Sequence, residues 1–470
     1  MLRILGHRTT PCDGFSRREA MRVGGLSLLG GLTTTRLLQA RSQSPAVREG
    51  RAKSVILLNL LGGPPHQDLV DLKPDAPQET RGEFSPISTS VPGTHVGELL
   101  PQTAAIMDRC TLIRTYSHKY NSHNPYNVYT GFDGGSDRDN YFAKPTDHPS
   151  MGSVCQYLGM GSTDIPRYVI LPAFPGHSQA LRRAGPYGGY LGAQYDPLFT
   201  VWNKEFEGKG EFYKPTAALG VPALPSLDAL PDITANRLDR RRSLYTQLDE
   251  SVAEVERAAV VQGMDEFQQQ AFSLLTSSKT RRAFDVSEES QEIRDRYGKT
   301  VWGTSLLTCR RLVEAGSTFV SVNWEEADSG NHWDMHSNVF GMCRVLVPTL
   351  DQIVSALIID LEERGLLDQT LVVVMGEMGR TPRINGNTGR DHWPQCGFAL
   401  LAGGGVQRGI VHGRTDAQAA YPVDHPVSSG DLVATIYHLL GVDYSLTVND
   451  LTDRPIPISH GGQPVHEILI

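Results

Sequence analysis

Six short apolar runs constrain the fold of this chain most: SVILLNLL (54–61), CTLIRT (110–115), RYVILP (167–172), TFVSVNW (318–324), TLVVVM (370–375) and GFALLAGGG (397–405). A strand with one wet face alternates apolar and polar residues. These runs are continuous, the pattern of strands covered on both faces. Helical patterns lie between several of them. SLLTCRRLVEAG stops at Gly316 and LVPTLDQIVSALIIDLEERG at Gly365, each just before a run, and a glycine after the last turn is a common helix stop. SSGDLVATIYHLLG has Ser428 or Ser429 as its N-cap and Gly441 as its end. This order predicts an α/β fold with three layers, α/β/α, around a mainly parallel sheet. The charged, amphipathic stretch 235–300 reads as a helical insertion packed on a single domain of residues 50–470.

The first 45 residues differ in kind. SRREAMRVGGLSLLGGL sets Arg17, Arg18 and Arg22 around a short, glycine-broken apolar stretch. That reads as a twin-arginine export signal, with the twin-arginine export machinery as a partner and a periplasmic or extracellular destination. A basic, unstructured N-terminus is the plainer alternative. The formal charge of the chain is −8, and loss of residues 1–45 would remove more arginines than acids. Such an acidic chain has no basic stripe for nucleic acid. No segment after the signal reads as a membrane span. The five later cysteines, Cys110, Cys155, Cys309, Cys343 and Cys396, form no C-x-x-C pair and read as small buried apolar residues.

In open parallel sheets, ligands bind beyond the C-terminal ends of the strands. Carboxylates, imidazoles and hydroxyls gather after four of the runs: His66 and Asp68; Ser117, His118, Asn121, Ser122 and His123; His332, Asp334 and His336; and Glu377, Asp391 and His392. A lone loop histidine or turn aspartate has an ordinary structural role. Their shared location argues instead for a divalent ion, and the absence of cysteine from the clusters argues against a structural zinc site. The expected ligands are His66, Asp68, Asp334, His336, Glu377 and His392, holding one or two ions, zinc first, with manganese, iron or calcium as alternatives. Arg380, Arg383 and Arg390 are placed to hold the oxygens of a phosphate or sulfate, or else to pair with Glu377 and Asp391. GGPP (62–65) and AGGGV (402–406) lack the features of a phosphate cradle and read as tight turns. No G-x-S-x-G elbow is present.

The stretches NLLGGPPHQDLVDLKPDAP, RGEFSPI, DHPSMGSV, RDRYGKT, WDMHSN, DLEERGLLDQTLVVVMGEMGRTPRIN, GRDHWP and LLAGGGV resemble the exported bacterial proteins of domain-of-unknown-function family 1501. The resemblance covers nearly the whole chain after the signal. It implies a place in the alkaline phosphatase and sulfatase superfamily, whose members hydrolyse phosphate or sulfate esters at one or two metals. The superfamily's late Asp-His pair falls on Glu377 and Met378, so the histidine is missing. Asp334, His336 and His392 look similar to its other ligands, and Asn59, His66 or Asp68 substitutes for its early aspartate. The sulfatase cysteine position falls on Asn121, which cannot become formylglycine. Ser122 is therefore the expected nucleophile, ahead of Ser117, with Asn121 as an oxyanion or ligand group. His118 and His123, like His66, serve as ligands or general acid–base groups. The expected function is metal-dependent, in-line hydrolysis of phosphate or sulfate esters on a small molecule or polysaccharide. The alternative is an inactive secreted binding or scaffold protein on the same fold.

Overall fold

The computed structural model describes residues 46–135, 141–202, 205–206, 217–224, 277–325 and 332–470. All six apolar runs become strands of one eight-stranded sheet: β1 (Ser54–Leu60), β2 (Cys110–Tyr116), β3 (Tyr168–Leu171), β4 (Leu198–Phe199), β5 (Phe319–Trp324), β6 (Thr370–Met375), β7 (Gly397–Ala402) and β8 (Ile410–His412). Their spatial order is β8-β2-β7-β6-β1-β5-β3-β4. Every pairing is parallel except the two made by β7, which runs against β6 and β2. One rim therefore collects the C-terminal ends of β1, β2, β5 and β6 and the N-terminal end of β7. Residues before β7 reach the same rim as residues after β6.

The continuous apolar runs have the expected physical cause. Ile56, Leu58 and Leu60 enter one core while Val55 and Leu57 of the same strand enter another, and β6 divides in the same way, with Val372 and Val374 opposite Leu371 and Val373. Helices α1 (Val301–Glu314) and α2 (Val339–Glu363) cover the first face, and α3 (Ser429–Leu439) covers the second. Ser428 caps α3 in a capping box with Asp431. α1 and α2 are joined by a buried network in which Asp360 accepts from Arg310 Nε at 2.9 Å, Tyr297 OH at 3.0 Å and Arg364 Nε at 2.8 Å. Cys110, Cys155, Cys309, Cys343 and Cys396 are free and buried.

α2 is long and apolar enough to cross a membrane by length and composition. Its apolar face is spent on the core instead, where Leu346, Val354, Leu357 and Ile358 are buried. Of the stretch read as a helical insertion, residues 277–300 contain the helices Ser278–Phe284 and Gln291–Tyr297. The rest of that stretch and the export signal lie outside the described residues.

Candidate metal centre

Loops from four strand ends converge at this rim. After β1 the chain turns through Gly62 at φ +120°, where a Cβ would come within 2.3 Å of Asp334 N. Only glycine allows the turn to pass that close to the loop after β5. The Gly62 N–H donates to Glu377, at 2.8 Å from Oε1 and 3.0 Å from Oε2, which places the carboxylate just beyond β6. β2 leads to His123, and the ribbon formed by Gly379–Arg380 and His392–Trp393 brings His392 back ahead of β7.

His123, Asp334, His336 and His392 each present one ligand atom, and these atoms lie within 4.8 Å of one another. Each imidazole is held from behind. His123 Nδ1 lies 2.9 Å from Glu377 Oε1, His336 Nδ1 2.7 Å from Asp391 Oδ1, and His392 Nδ1 3.1 Å from Asn121 Oδ1. All three outer atoms are acceptors, so each Nδ1 donates outward and each Nε2 faces inward, where it offers a lone pair once it is free of its proton. The inner atoms crowd together: Nε2 of His336 and His392 are 3.0 Å apart, and Asp334 lies 3.2 Å from His123 Nε2, 3.0 Å from His336 Nε2 and 3.4 Å from His392 Nε2. Three basic nitrogens and a carboxylate facing one point fit a divalent ion of the Zn, Mn or Fe kind.

The electrostatics show how tightly these groups are coupled, with a proton on His123 that an ion has to displace. Burial works against charge on His123, yet the Asp334 and Glu377 carboxylates hold it up at about 9. Asp334 raises His336, and burial lowers His392. Burial would raise the Asp334 carboxyl, but the surrounding imidazoles and Arg380 hold it far below the usual carboxylate range.

The other expected site residues are placed differently. Glu377 is fully buried and stands behind His123, one bond removed from the point of convergence. His66 bonds Ala419 O through Nε2 at 2.8 Å, and burial lowers it to about 4. Asp68 pairs with Arg390 at 2.7 Å. Neither His66 nor Asp68 joins the four-residue group, because the short helix His66–Leu69 turns both into the interior. Arg390 spends its remaining donors on the carbonyls of Thr80, Thr381 and Pro382. Arg380 donates to the carbonyls of Gly62, Gly63 and Arg390 and to Asp334 Oδ1 at 2.5 Å. Both arginines are fully buried, whereas Arg383 is exposed.

Ser122 is also buried, and its Oγ accepts from Asn124 N at 3.2 Å and Asn124 Nδ2 at 3.1 Å. His118 is buried beneath the site against Tyr120 N and Asn127, and burial lowers it to about 4. Of the residues read as catalytic, His123 and Asn121 reach the convergence, one as a ligand candidate and one behind His392. The role of Asp391 was missed by sequence reasoning, although its place directly before His392 was visible.

No curated protein matches this chain. Among solved structures, the PsFucS1 sulfatase from Pseudoalteromonas sp. is 12% identical, with a TM-score of 0.37, over 95% of this chain and 77% of its own. The phosphonate monoester hydrolase SpPMH from Silicibacter pomeroyi is 12% identical, with a TM-score of 0.38, over 89% and 76%. A protein in the alkaline phosphatase superfamily from Vibrio parahaemolyticus is 12% identical, with a TM-score of 0.36, over 91% and 72%. The family described as protein of unknown function DUF1501 matches residues 52–469, and the chain belongs to that family.

Proposed function

We propose that this protein is an exported hydrolase of phosphate or sulfate esters, dependent on a divalent ion held by His123, Asp334, His336 and His392. The observation that carries the reading is the outer anchoring of three imidazoles on Glu377, Asp391 and Asn121, which turns three Nε2 atoms toward Asp334. Such backing of ligands is the usual support of a metal site. When bound, a divalent ion supplies a Lewis acid for an ester oxygen and lowers the pKa of water toward neutrality.

The protein's own residues have defined parts. Arg380 fixes Asp334, and Glu377 sets the ring of His123. The Ser122 hydroxyl is buried and engaged with Asn124, so water is the better nucleophile. With His123, Asp334, His336 and His392 all engaged, an ion able to accept further ligands, such as manganese or iron, would leave room for water and substrate. A small-molecule or polysaccharide ester is the proposed substrate, and the arginine pair Arg17 and Arg18 supports export by the twin-arginine route.

Elemental analysis beside parallel phosphomonoester, phosphodiester and sulfate ester assays tests the proposal. A stoichiometric transition metal and a hydrolysed ester, both lost in His392→Ala, support it. A metal-free, folded and inactive protein excludes it. A second reading, an inactive secreted binding protein on this fold, is favoured by one observation: Arg380 and Arg390, the expected anion clamp, have their donors committed internally.

A further inference from the structure

We propose that Asp68 is a positioning residue of the metal centre, acting through Arg390 and Arg380; this rests on the metal-centre reading above. The Asp68 and Arg390 side chains are fully excluded from solvent. A guanidinium stays in such a place only with a charged partner and its N–H groups satisfied. Asp68 supplies the charge, taking Arg390 Nε at 2.7 Å and Nη2 at 3.2 Å.

The backbone of Arg390 then reaches the site. Its N–H donates to Met335 O at 2.9 Å, between the two ligand candidates Asp334 and His336. Its carbonyl accepts from Arg380 Nη1 at 3.0 Å, and Arg380 Nη2 holds Asp334 Oδ1 at 2.5 Å. The next two residues are Asp391, bonded to His336, and His392 itself. One backbone position is thereby tied to Asp334, His336 and His392, and a buried ion pair clamps it. Neutralising Asp68 strands the Arg390 charge in the interior and lets that loop move, so the ligands lose their convergence although none is removed.

The test loads the full protein with Co²⁺ and compares wild type with Asp68→Asn, Asp68→Glu and Asp360→Asn. Affinity by chelator competition, the Co²⁺ visible absorption band and the unfolding temperature are read together. Asp68→Asn is expected to weaken Co²⁺ binding by about tenfold or more and to alter the band. Asp68→Glu restores the charge and recovers most of both. Asp360→Asn breaks a buried ion pair far from the site, so it lowers the unfolding temperature but leaves affinity within about twofold. Asp68→Asn binding Co²⁺ like the wild type, or Asp360→Asn weakening it equally, overturns the proposal. Arg390→Lys, which keeps the charge and loses the planar fork, serves if Asp68→Asn does not fold. Weaker Co²⁺ binding in that variant supports the proposal, and unchanged binding overturns it. Failure of the wild type to bind Co²⁺ is a distinct result that removes the metal-centre reading itself.

Discussion

His336 is held between two carboxylates, with Nδ1 2.7 Å from Asp391 Oδ1 and Nε2 3.0 Å from Asp334 Oδ1. A ring so placed has its tautomer and rotation set before an ion arrives. Asp391→Ala should therefore weaken metal binding by about 10–100-fold. The Asp391 side chain is exposed, so loss of its bonds to His336 and Asn385 should cost the metal-free protein no more than about 1 kcal/mol. Equilibrium dialysis and thermal melts in chelator check the two statements separately, and unchanged affinity would remove Asp391 from the site.

Metal binding should tighten as pH rises. A ligating imidazole must be neutral, so an ion competes with the proton that Asp334 and Glu377 keep on His123 up to about 9. Affinity climbs with pH as long as that proton is held, up to about 9, and then levels. Stability of the metal-free protein moves the other way. A raised folded-state pKa contributes fully below the unfolded value and is lost as pH passes through the folded one. Melting temperatures in chelator should fall across that window, and the gain conferred by added metal should grow. A metal-induced gain independent of pH would show that His123 does not ligate.

Gly62→Ala should damage the centre from outside the ligand set. The new Cβ meets Asp334 N at 2.3 Å, and φ +120° strains any side chain. Backbone strain of this kind costs about 1–3 kcal/mol. Relief by moving the Asp334 loop breaks ligand convergence. Gly93→Ala is the control, with φ +78° and nothing within 4 Å of its Cβ. Metal content should fall in Gly62→Ala and hold in Gly93→Ala; equal metal content would show that the turn can yield without moving Asp334.

The sheet was readable because its signal is local: Val55, Ile56, Leu57, Leu58 and Leu60 fill two cores at once, and a short unbroken run is the pattern of a strand covered on both faces. The rim was readable from the same rule, and Asp334, His336 and His392 follow from it. What a linear chain conceals is which neighbour a charge meets. Asp68 and His66 follow β1 as plausibly as Asp334 follows β5, yet the helix His66–Leu69 turns them inward to Arg390 and Ala419. Arg380 and Arg390 look like surface anion binders by composition, and only their burial shows that they serve backbone carbonyls and ligand carboxylates. Glu377 follows β6 as a ligand would, yet its carboxylate meets the outer nitrogen of His123.

Ser122→Ala separates a serine nucleophile from water. The Ser122 Oγ is buried and accepts from both the backbone and the side chain of Asn124, the pattern of a loop turn. To attack an ester it would have to leave those donors unpaired. Its removal should therefore change kcat on a responsive ester by less than about tenfold, whereas loss of a nucleophile that forms a covalent intermediate costs several orders of magnitude. His392→Ala, measured alongside, should abolish turnover through loss of the ion. A Ser122→Ala variant with full metal content and no turnover would restore the serine mechanism, and would require the 121–124 loop to open on substrate binding.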